Sequence, residues 1–491
     1  MKSMNNIVFT FVASIAVFIL SCNQPQKDET ANQKVETTDS TEKYPFTDGY
    51  PSPGTADKLL DEMDYQRACQ AYIWAIPIVG IAEWNNVNKN IFKAQNGQWV
   101  SYRTFDEKLG ILTPNFTTPY AVGFCNLSET GPLVIDFPKG LLGGMIMDFW
   151  QRTLSDLGMI GPDKGQGGKF LIIGPGQPDI KKNGYFIIHS PTNNILFGTR
   201  ILNPAQADEL IPQLKAYPYN KGTESKSLEV MKAGTGWSQM PPHGMQYWER
   251  LAEIINQEPV LERDRFMMAQ LRFLGIEKGK PFKPDARQTR ILTEAAKTGE
   301  DMAKVNTYTR RFAEPMWPGT HWKDVLTVNT TQHEEFFDQL DERAAYYYEG
   351  VVISEGMRLK KPGPGQRYVG CYQDKDGEYL SGSNLYKLHV PPNPPVGQFW
   401  SLTVYDEATR QMIVNSTKKI DISSVDSSVV KNADGSWDLY VGPEAPKGFE
   451  KNWVQTNPNK GWFPMFRFYG PTQAFFDKSW VLPDFEKMKQ Q

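Results

Sequence analysis

From Asp57 to about Asn96, Leu59, Leu60, Met63, Ala68, Ala71, Tyr72 and Ala75 recur mostly at steps of three and four. That spacing predicts a helix with one apolar face, which Pro77 kinks or ends. From Trp99 to Leu202 the pattern changes to short apolar runs such as Leu133–Phe137, Phe170–Ile173 and Tyr185–Ile188, bounded by Gly, Pro, Lys and Asn. These predict strands. Helical spacing returns from Ala205 to about Met357. Trp248, Leu251, Ile254 and Ile255 share a face, as do Met267, Leu271 and Leu274. Gly275 is placed as a C-cap, and Asp285 caps a long helix toward Phe312. Period-two runs resume from Tyr368 to Leu482, at Leu385–Val390 and Phe399–Tyr405, with Asp376-Gly377 and Asp434-Gly435 as hairpin turns. The order α, β, α, β predicts an α+β multidomain protein with two mainly antiparallel β-sandwich modules, each preceded by a helical segment.

The N-terminus changes this picture. Ile7 to Leu20 is a mostly apolar run of 14 residues behind Lys2. A bilayer span needs about 20, so the run has the build of a secretory signal peptide. Ile19-Leu20-Ser21-Cys22 resembles a bacterial lipobox, in which cleavage leaves the cysteine as an acylated first residue. An ordinary signal peptide with a chance cysteine is the alternative. On the lipobox reading, Cys22 anchors the chain to a membrane, stably if it carries more than one acyl chain. Lys27-Asp28-Glu29 resembles the short acidic signal that sends some bacterial lipoproteins to the cell surface. The expected place is thus the cell envelope, on the periplasmic or the surface side of the outer membrane. The divisions are 1–21 as signal peptide, 22–55 as disordered tether, 56–204 as helix plus first β module, 205–360 as helical linking region and 361–491 as second β module.

Charge and motifs mostly exclude functions. The 491 residues carry 53 basic and 56 acidic side chains, net -3, which leaves no basic footprint for nucleic acid. Cys69, Cys125 and Cys371 are far apart and form no CxxC pair; one disulfide is open, and buried free thiols fit better. Gly161–Lys169 looks like a phosphate loop but has Asp163 where glycine is needed and Phe170 where a hydroxyl is needed, and it opens a strand. Asp374–Gly377 lacks the spacing of a calcium loop. No G-x-S-x-G occurs, and Ser416–Lys419 meets S-x-x-K without companion motifs. His189, His243, His321, His333 and His389 have no zinc-binding spacing, and parity places His389 on the rim of its strand. No motif implies a cofactor or a metal.

One region is richer. Thr113–Tyr120 sits between strands, and Met147–Asp156 follows. Asp148, Arg152 and Asp156 are spaced by four, as on one helical face, although Met145-Ile146-Met147 also permits a strand. If Asn115, Asp148 and Arg152 converge among Tyr102, Tyr120 and Trp150, they compose a small-molecule pocket. A carboxylate beside an arginine would stay ionised and could orient substrate or water. A structural salt bridge within an aromatic core is the alternative.

These stretches carry a family resemblance. Thr113-Pro-Asn-Phe-Thr-Thr-Pro-Tyr, Gly131-Pro-Leu-Val-Ile, Asp148-Phe-Trp-Gln-Arg and Gly167-Gly-Lys-Phe-Leu-Ile resemble the bacterial family named domain of unknown function 1254. Leu274-Gly-Ile-Glu-Lys-Gly-Lys-Pro-Phe resembles the linking helical part. Phe399–Asp406, Asn432-Ala-Asp-Gly-Ser, Asn452-Trp-Val and Phe466-Arg-Phe-Tyr-Gly-Pro resemble its usual C-terminal companion, domain of unknown function 1214. Many relatives carry Asn-x-Asp-Thr-x-Tyr at the first motif. Here Thr117 stands at the aspartate position, so no role of that aspartate carries over. The resemblance implies an exported multidomain protein with β-sandwich modules joined by helices, and it implies no activity.

Two readings follow. In one, the chain is a hydrolase acting on a small organic molecule in the first β module. Asp148 activates water, Arg152 or Asn115 holds the developing anion, and Tyr102, Tyr120 and Trp150 form the walls. In the other, it is a non-catalytic binding or scaffold lipoprotein whose aromatics fill cores and stack on ligand. Neither reading specifies an oligomeric state.

Overall fold

In the computed structural model, which describes residues 43–224 and 227–489, the first long helix runs Thr55–Asn90. Asp57 in its first turn and Lys89 in its last suit the helix dipole. Pro77 does not end it. The helix continues through, because every residue from Ala71 to Ala82 is buried and packing offsets the one lost hydrogen bond. The predicted single apolar face is therefore corrected to a helix buried on all sides along its middle. Gly80 lets another element come close: a Cβ there would stand 2.0 Å from the Tyr347 ring.

Two sheets form the first β module. A six-stranded sheet has the order Met231–Lys232, Trp99–Tyr102, Tyr120–Asn126, Asn194–Ile201, Leu142–Asp148, Thr153–Gly158. A four-stranded sheet has the order Lys215–Pro218, Leu133–Phe137, Gly168–Ile173, Tyr185–His189. Pairing is antiparallel except between the first two strands of the larger sheet and the last two of the smaller. Alternation sorts the larger sheet's side chains. Trp99, Ile146, Ile195 and Phe197 share a core with Leu133, Ile135, Phe170 and Ile172 of the smaller sheet. Val100, Val122, Met145 and Leu196 point the other way, into the largest apolar cluster. Lys215–Pro218 and Met231–Lys232 lie beyond the predicted module edge at 204, being too short to show a period in the sequence.

The helices Met245–Gln257, Arg265–Phe273, Ala286–Thr309 and Leu340–Tyr347 follow. Asp285 and Gln288 form a capping box at the third of them, and Gly275, at φ 82°, closes the second, as predicted. The second β module again has two sheets. One orders Lys323–Asp324, Gln366–Gly370, Trp462–Tyr469, Trp400–Asp406 and Asp421–Ser423. The other orders Trp453–Gln455, Trp437–Gly442, Tyr386–Val390 and Glu486–Lys487. Tyr386, Leu388 and Val390 are buried, while His389 lies at the rim with its Nδ1 2.8 Å from Asp438 Oδ1. Asp434-Gly435 forms a local turn closed by Asn432 and Ser436 instead of joining two paired strands.

The architecture is α+β with helices preceding each sheet module. One apolar cluster runs through the stretches 56–204, 205–360 and 361–491, including Tyr72, Val122, Trp248, Tyr347 and Phe466, beside the core that the first module keeps between its own two sheets. By contacts the chain divides into Met1–Ala56 and Asp57–Gln491. In the first unit, Phe46–Thr47 pairs with Tyr50–Pro51, a short hairpin where the sequence predicts only tether. The signal peptide and Cys22 lie outside the described residues. Cys69, Cys125 and Cys371 are free and buried. No helix among the described residues is long and apolar enough to cross a membrane, and no cluster of metal-ligating side chains occurs among them.

Candidate functional site

Strand register assembles a polar row on the outer face of the six-stranded sheet. Arg200 stands opposite Tyr120 on one neighbouring strand and Gly143 on the other, and Gly198 stands opposite Val122 and Met145. Across from this row, the five-stranded sheet presents Tyr368 opposite Arg467 and Gln366 opposite Tyr469. Between the two sheets lies a cavity of about 100 Å³. Trp84, Ile111, Leu196, Val351, Met357 and Met465 supply much of its apolar wall. It thus belongs to both β modules, not to the first alone.

The loop Thr113–Tyr120 closes one side. Asn115 Oδ1 accepts the backbone N–H groups of Thr117 (2.7 Å) and Thr118 (3.0 Å), which folds the loop on itself. Its Nδ2 donates to the Tyr469 hydroxyl, and its backbone N–H donates to the Tyr120 hydroxyl at 2.6 Å. Lys108, buried beneath, donates to the carbonyls of Asn115, Phe116 and Thr118 at 2.8–3.2 Å. The second module grips the same loop. Tyr405 donates to Pro114 O (2.8 Å), Arg467 to Thr113 O (3.3 Å), and Thr113 N–H to Arg410 O (2.8 Å).

Strain collects here. Thr113 (φ 46°) and Val351 (φ 56°) both line the cavity, and both are β-branched residues in the left-handed region. Arg410 (φ 58°) holds Thr113, and the Thr113 hydroxyl donates to Glu349 O at 2.6 Å. Each such residue costs on the order of 1–3 kcal/mol and persists where surrounding structure over-determines it, as at ligand sites.

Electrostatics single out one residue. The charged groups on the cavity wall are Arg200, Arg467 and Glu349. Glu349 is neutralised by Arg310, and Tyr372 donates to it at 2.7 Å. Arg467 donates to Thr403 Oγ1 at 2.9 Å, and that hydroxyl donates to Asp421 Oδ2 at 2.7 Å, so a carboxylate lies one hydroxyl away. Arg200 has only neutral partners, Gln366 Oε1 at 2.9 Å and Tyr368 OH at 3.1 Å, both through Nη1. Among the described residues it forms no ion pair, and its Nε and Nη2 donate to no protein atom.

The six residues singled out in the sequence divide between this cavity and two other places. Asn115 and Tyr120 line it. Tyr102 lies behind it, fully buried, accepting from Trp84 Nε1 and donating to Asn88 Oδ1, both at 3.0 Å. Asp148, Trp150 and Arg152 lie elsewhere. Asp148 ends the Leu142–Asp148 strand, Arg152 sits in the following turn and Asp156 lies in the next strand, so the three do not share a helical face. Asp148 Oδ1 accepts the backbone N–H groups of Trp150 and Arg152, both at 2.9 Å. The guanidinium of Arg152 pairs instead with Asp338, at 3.8 Å. Trp150 packs on Trp74, with ring centroids 4.6 Å apart.

The expected convergence of Asn115 with Asp148 and Arg152 does not form around this cavity. Nor does the arginine depress the Asp148 carboxyl. Burial outweighs the attraction of the Arg152 backbone N–H, Arg263 and Arg152, and it pushes the carboxyl above the usual range. Arg200, Arg467, Tyr368 and Tyr469 escaped the sequence reading. The available signal was an arginine inside a run such as Phe466-Arg-Phe-Tyr, where a buried strand has no cheap place for a charge.

No curated protein matches the chain. The crystal structure of the VPA0106 protein from Vibrio parahaemolyticus overlays with a TM-score of 0.53 at 16% identity, covering 87% of this chain and 100% of that one, which shows a shared fold. A putative uncharacterized protein from Burkholderia cenocepacia overlays at 11% identity, covering 89% and 97%, with a TM-score of 0.40, below the level at which a common fold follows. Residues 97–219 match the model of a protein of unknown function, DUF1254, and residues 365–473 that of another, DUF1214. In that order they give the chain the architecture of a DUF1254 module followed by a DUF1214 module.

Proposed function

We propose that this is a cell-envelope protein that binds a small organic molecule in the cavity between its two β modules. The observation that carries this reading is a largely apolar chamber with a few convergent polar groups and local backbone strain, the usual composition of a ligand site. The hydrolase reading draws support from unpaired polar atoms around Asp148: its Oδ2, Trp150 Nε1, the Gln151 amide and Arg152 Nε are buried without a partner. Against it, Oδ1 already closes a turn, and Asp148 is absent from the cavity wall. Binding is the better-supported function.

Gly198 offers a direct test. The nearest atoms to a Cβ there would be Val122, Ala121 O and Met145 at 3.6–3.7 Å, ordinary contacts, and Val122 and Met145 line the cavity. Gly198→Leu should therefore fill the chamber in a folded protein. In a thermal-shift screen against esters, fatty acids and aromatic metabolites, compounds that raise the melting temperature of the wild type should leave the variant unmoved. Shifts that survive in Gly198→Leu would place the ligand elsewhere, and a silent wild type would favour a scaffold role.

The envelope location rests on the lipobox-like Ile19–Cys22. Cys22→Ser should abolish labelling by radioactive palmitate and release the protein from the membrane fraction. Unchanged fractionation would count against the anchor.

A further inference from the structure

We infer that the ligand of this cavity is a monoanion, a carboxylate on an apolar body, and that Arg200 seats its head group. This rests on the reading of the inter-module cavity as a ligand site. What carries it is charge balance on a partly buried cavity wall. A cation held away from bulk water is costly unless an anion or well-placed acceptors offset it. Glu349 is matched by Arg310, and Arg467 by Asp421 through Thr403. That leaves Arg200 as the unmatched charge on the wall, with Nη1 spent on Gln366 and Tyr368 and two nitrogens uncommitted.

A hydroxyl stands beside it. Tyr120 is the cross-strand neighbour of Arg200, and its oxygen accepts from Asn115 N–H while its own proton has no acceptor among the described residues. Two guanidinium N–H groups and one phenol O–H suit the two oxygens of a carboxylate. A phosphate dianion would need a second free cation. The nearest, Lys108, is enclosed by three carbonyls and does not line the cavity. Beyond the head group the wall is aliphatic and thioether: Leu196, Val122, Met145, Val352, Met357 and Met465. Gly143 and Gly198 leave the sheet surface flat beneath, so an alkyl chain can lie along the strands.

Calorimetric titration of the full protein with octanoate, 1-octanol and octyl phosphate tests the assignment, on wild type, Arg200→Gln, Arg200→Lys and Gly198→Leu. Wild type should bind octanoate at least about tenfold tighter than 1-octanol, equivalent to about 1.4 kcal/mol, with octyl phosphate no tighter than octanoate. Arg200→Gln should erase the preference, and Arg200→Lys should keep part of it. Equal binding of octanoate and 1-octanol by wild type, a preference that survives Arg200→Gln, or tightest binding of octyl phosphate would overturn the carboxylate assignment while leaving the cavity reading standing. If no probe binds wild type, or if Gly198→Leu binds all three unchanged, both fall together. Should Arg200→Gln not fold, Arg200→Lys decides: an octanoate affinity unchanged from wild type or a complete loss of preference counts against the guanidinium seat.

Discussion

Two polar clusters sit on neighbouring strands of one sheet and use the same ingredients to opposite ends. Gly143, which pairs with Arg200, and Asp148 lie five residues apart on the strand Leu142–Asp148, roughly 17 Å at the usual rise. Around Arg200, arginine, tyrosine and asparagine side chains face a chamber, and donors remain unspent. Around Asp148, one carboxylate oxygen braces a tight turn whose Gln151 takes φ 67°, while the other oxygen, Trp150 Nε1, the Gln151 amide and Arg152 Nε are buried without a partner and outside the chamber. Residue types therefore do not identify a site. Whether their uncommitted donors and acceptors face a space or lie packed against protein does.

The largest effect should come from breaking the brace. In Asp148→Ala, two buried backbone N–H groups lose their acceptor, which should cost about 2–4 kcal/mol by denaturant unfolding. Asp148→Asn keeps an acceptor oxygen for the two N–H groups, so it should cost under about 1 kcal/mol and leave ligand binding intact. A folded Asp148→Asn that loses turnover of a bound ester would instead make Asp148 a base and collapse the distinction between the two clusters.

How much of this was legible follows from the range of the interactions involved. The strands Leu133–Phe137 and Tyr386–Val390, the caps at Asp285 and Gly275, and the order of blocks are local, fixed by periodicity and turn chemistry within a few residues. Asn115 and Tyr120 were visible because the whole loop is contiguous. Arg200 was not. Its role depends on pairing with Tyr120, 80 positions earlier in the chain, and on meeting Tyr368, 168 positions later. Asp148 misled for the complementary reason: an i, i+4 spacing of charges has the period of a helix, and here a bulged strand pair with a four-residue turn gives the same spacing. Pro77 does not end its helix because its local cost is outweighed by burial around it.

The finest separation between the clusters concerns Asp421, which balances Arg467 from outside the cavity. Burial, opposed by the Thr403 hydrogen bond and Arg467, raises its carboxyl to about 6. The native state therefore binds a proton that the unfolded chain releases near pH 4, so stability should fall as pH rises from about 4 to about 6 and level off above. The swing is on the order of 1–3 kcal/mol, and Asp421→Asn should flatten it in urea titrations across that range. The same change removes the partner of Arg467 and leaves the chamber with a second unmatched cation, so octyl phosphate should gain on octanoate in this variant alone. Asp148→Asn, acting on a carboxylate that faces no chamber, should leave that ratio where it was. A shift of the ratio in both variants, or in neither, would mean that charge at the cavity is not set by the pairing of Arg467 with Asp421 and Arg200 with nothing.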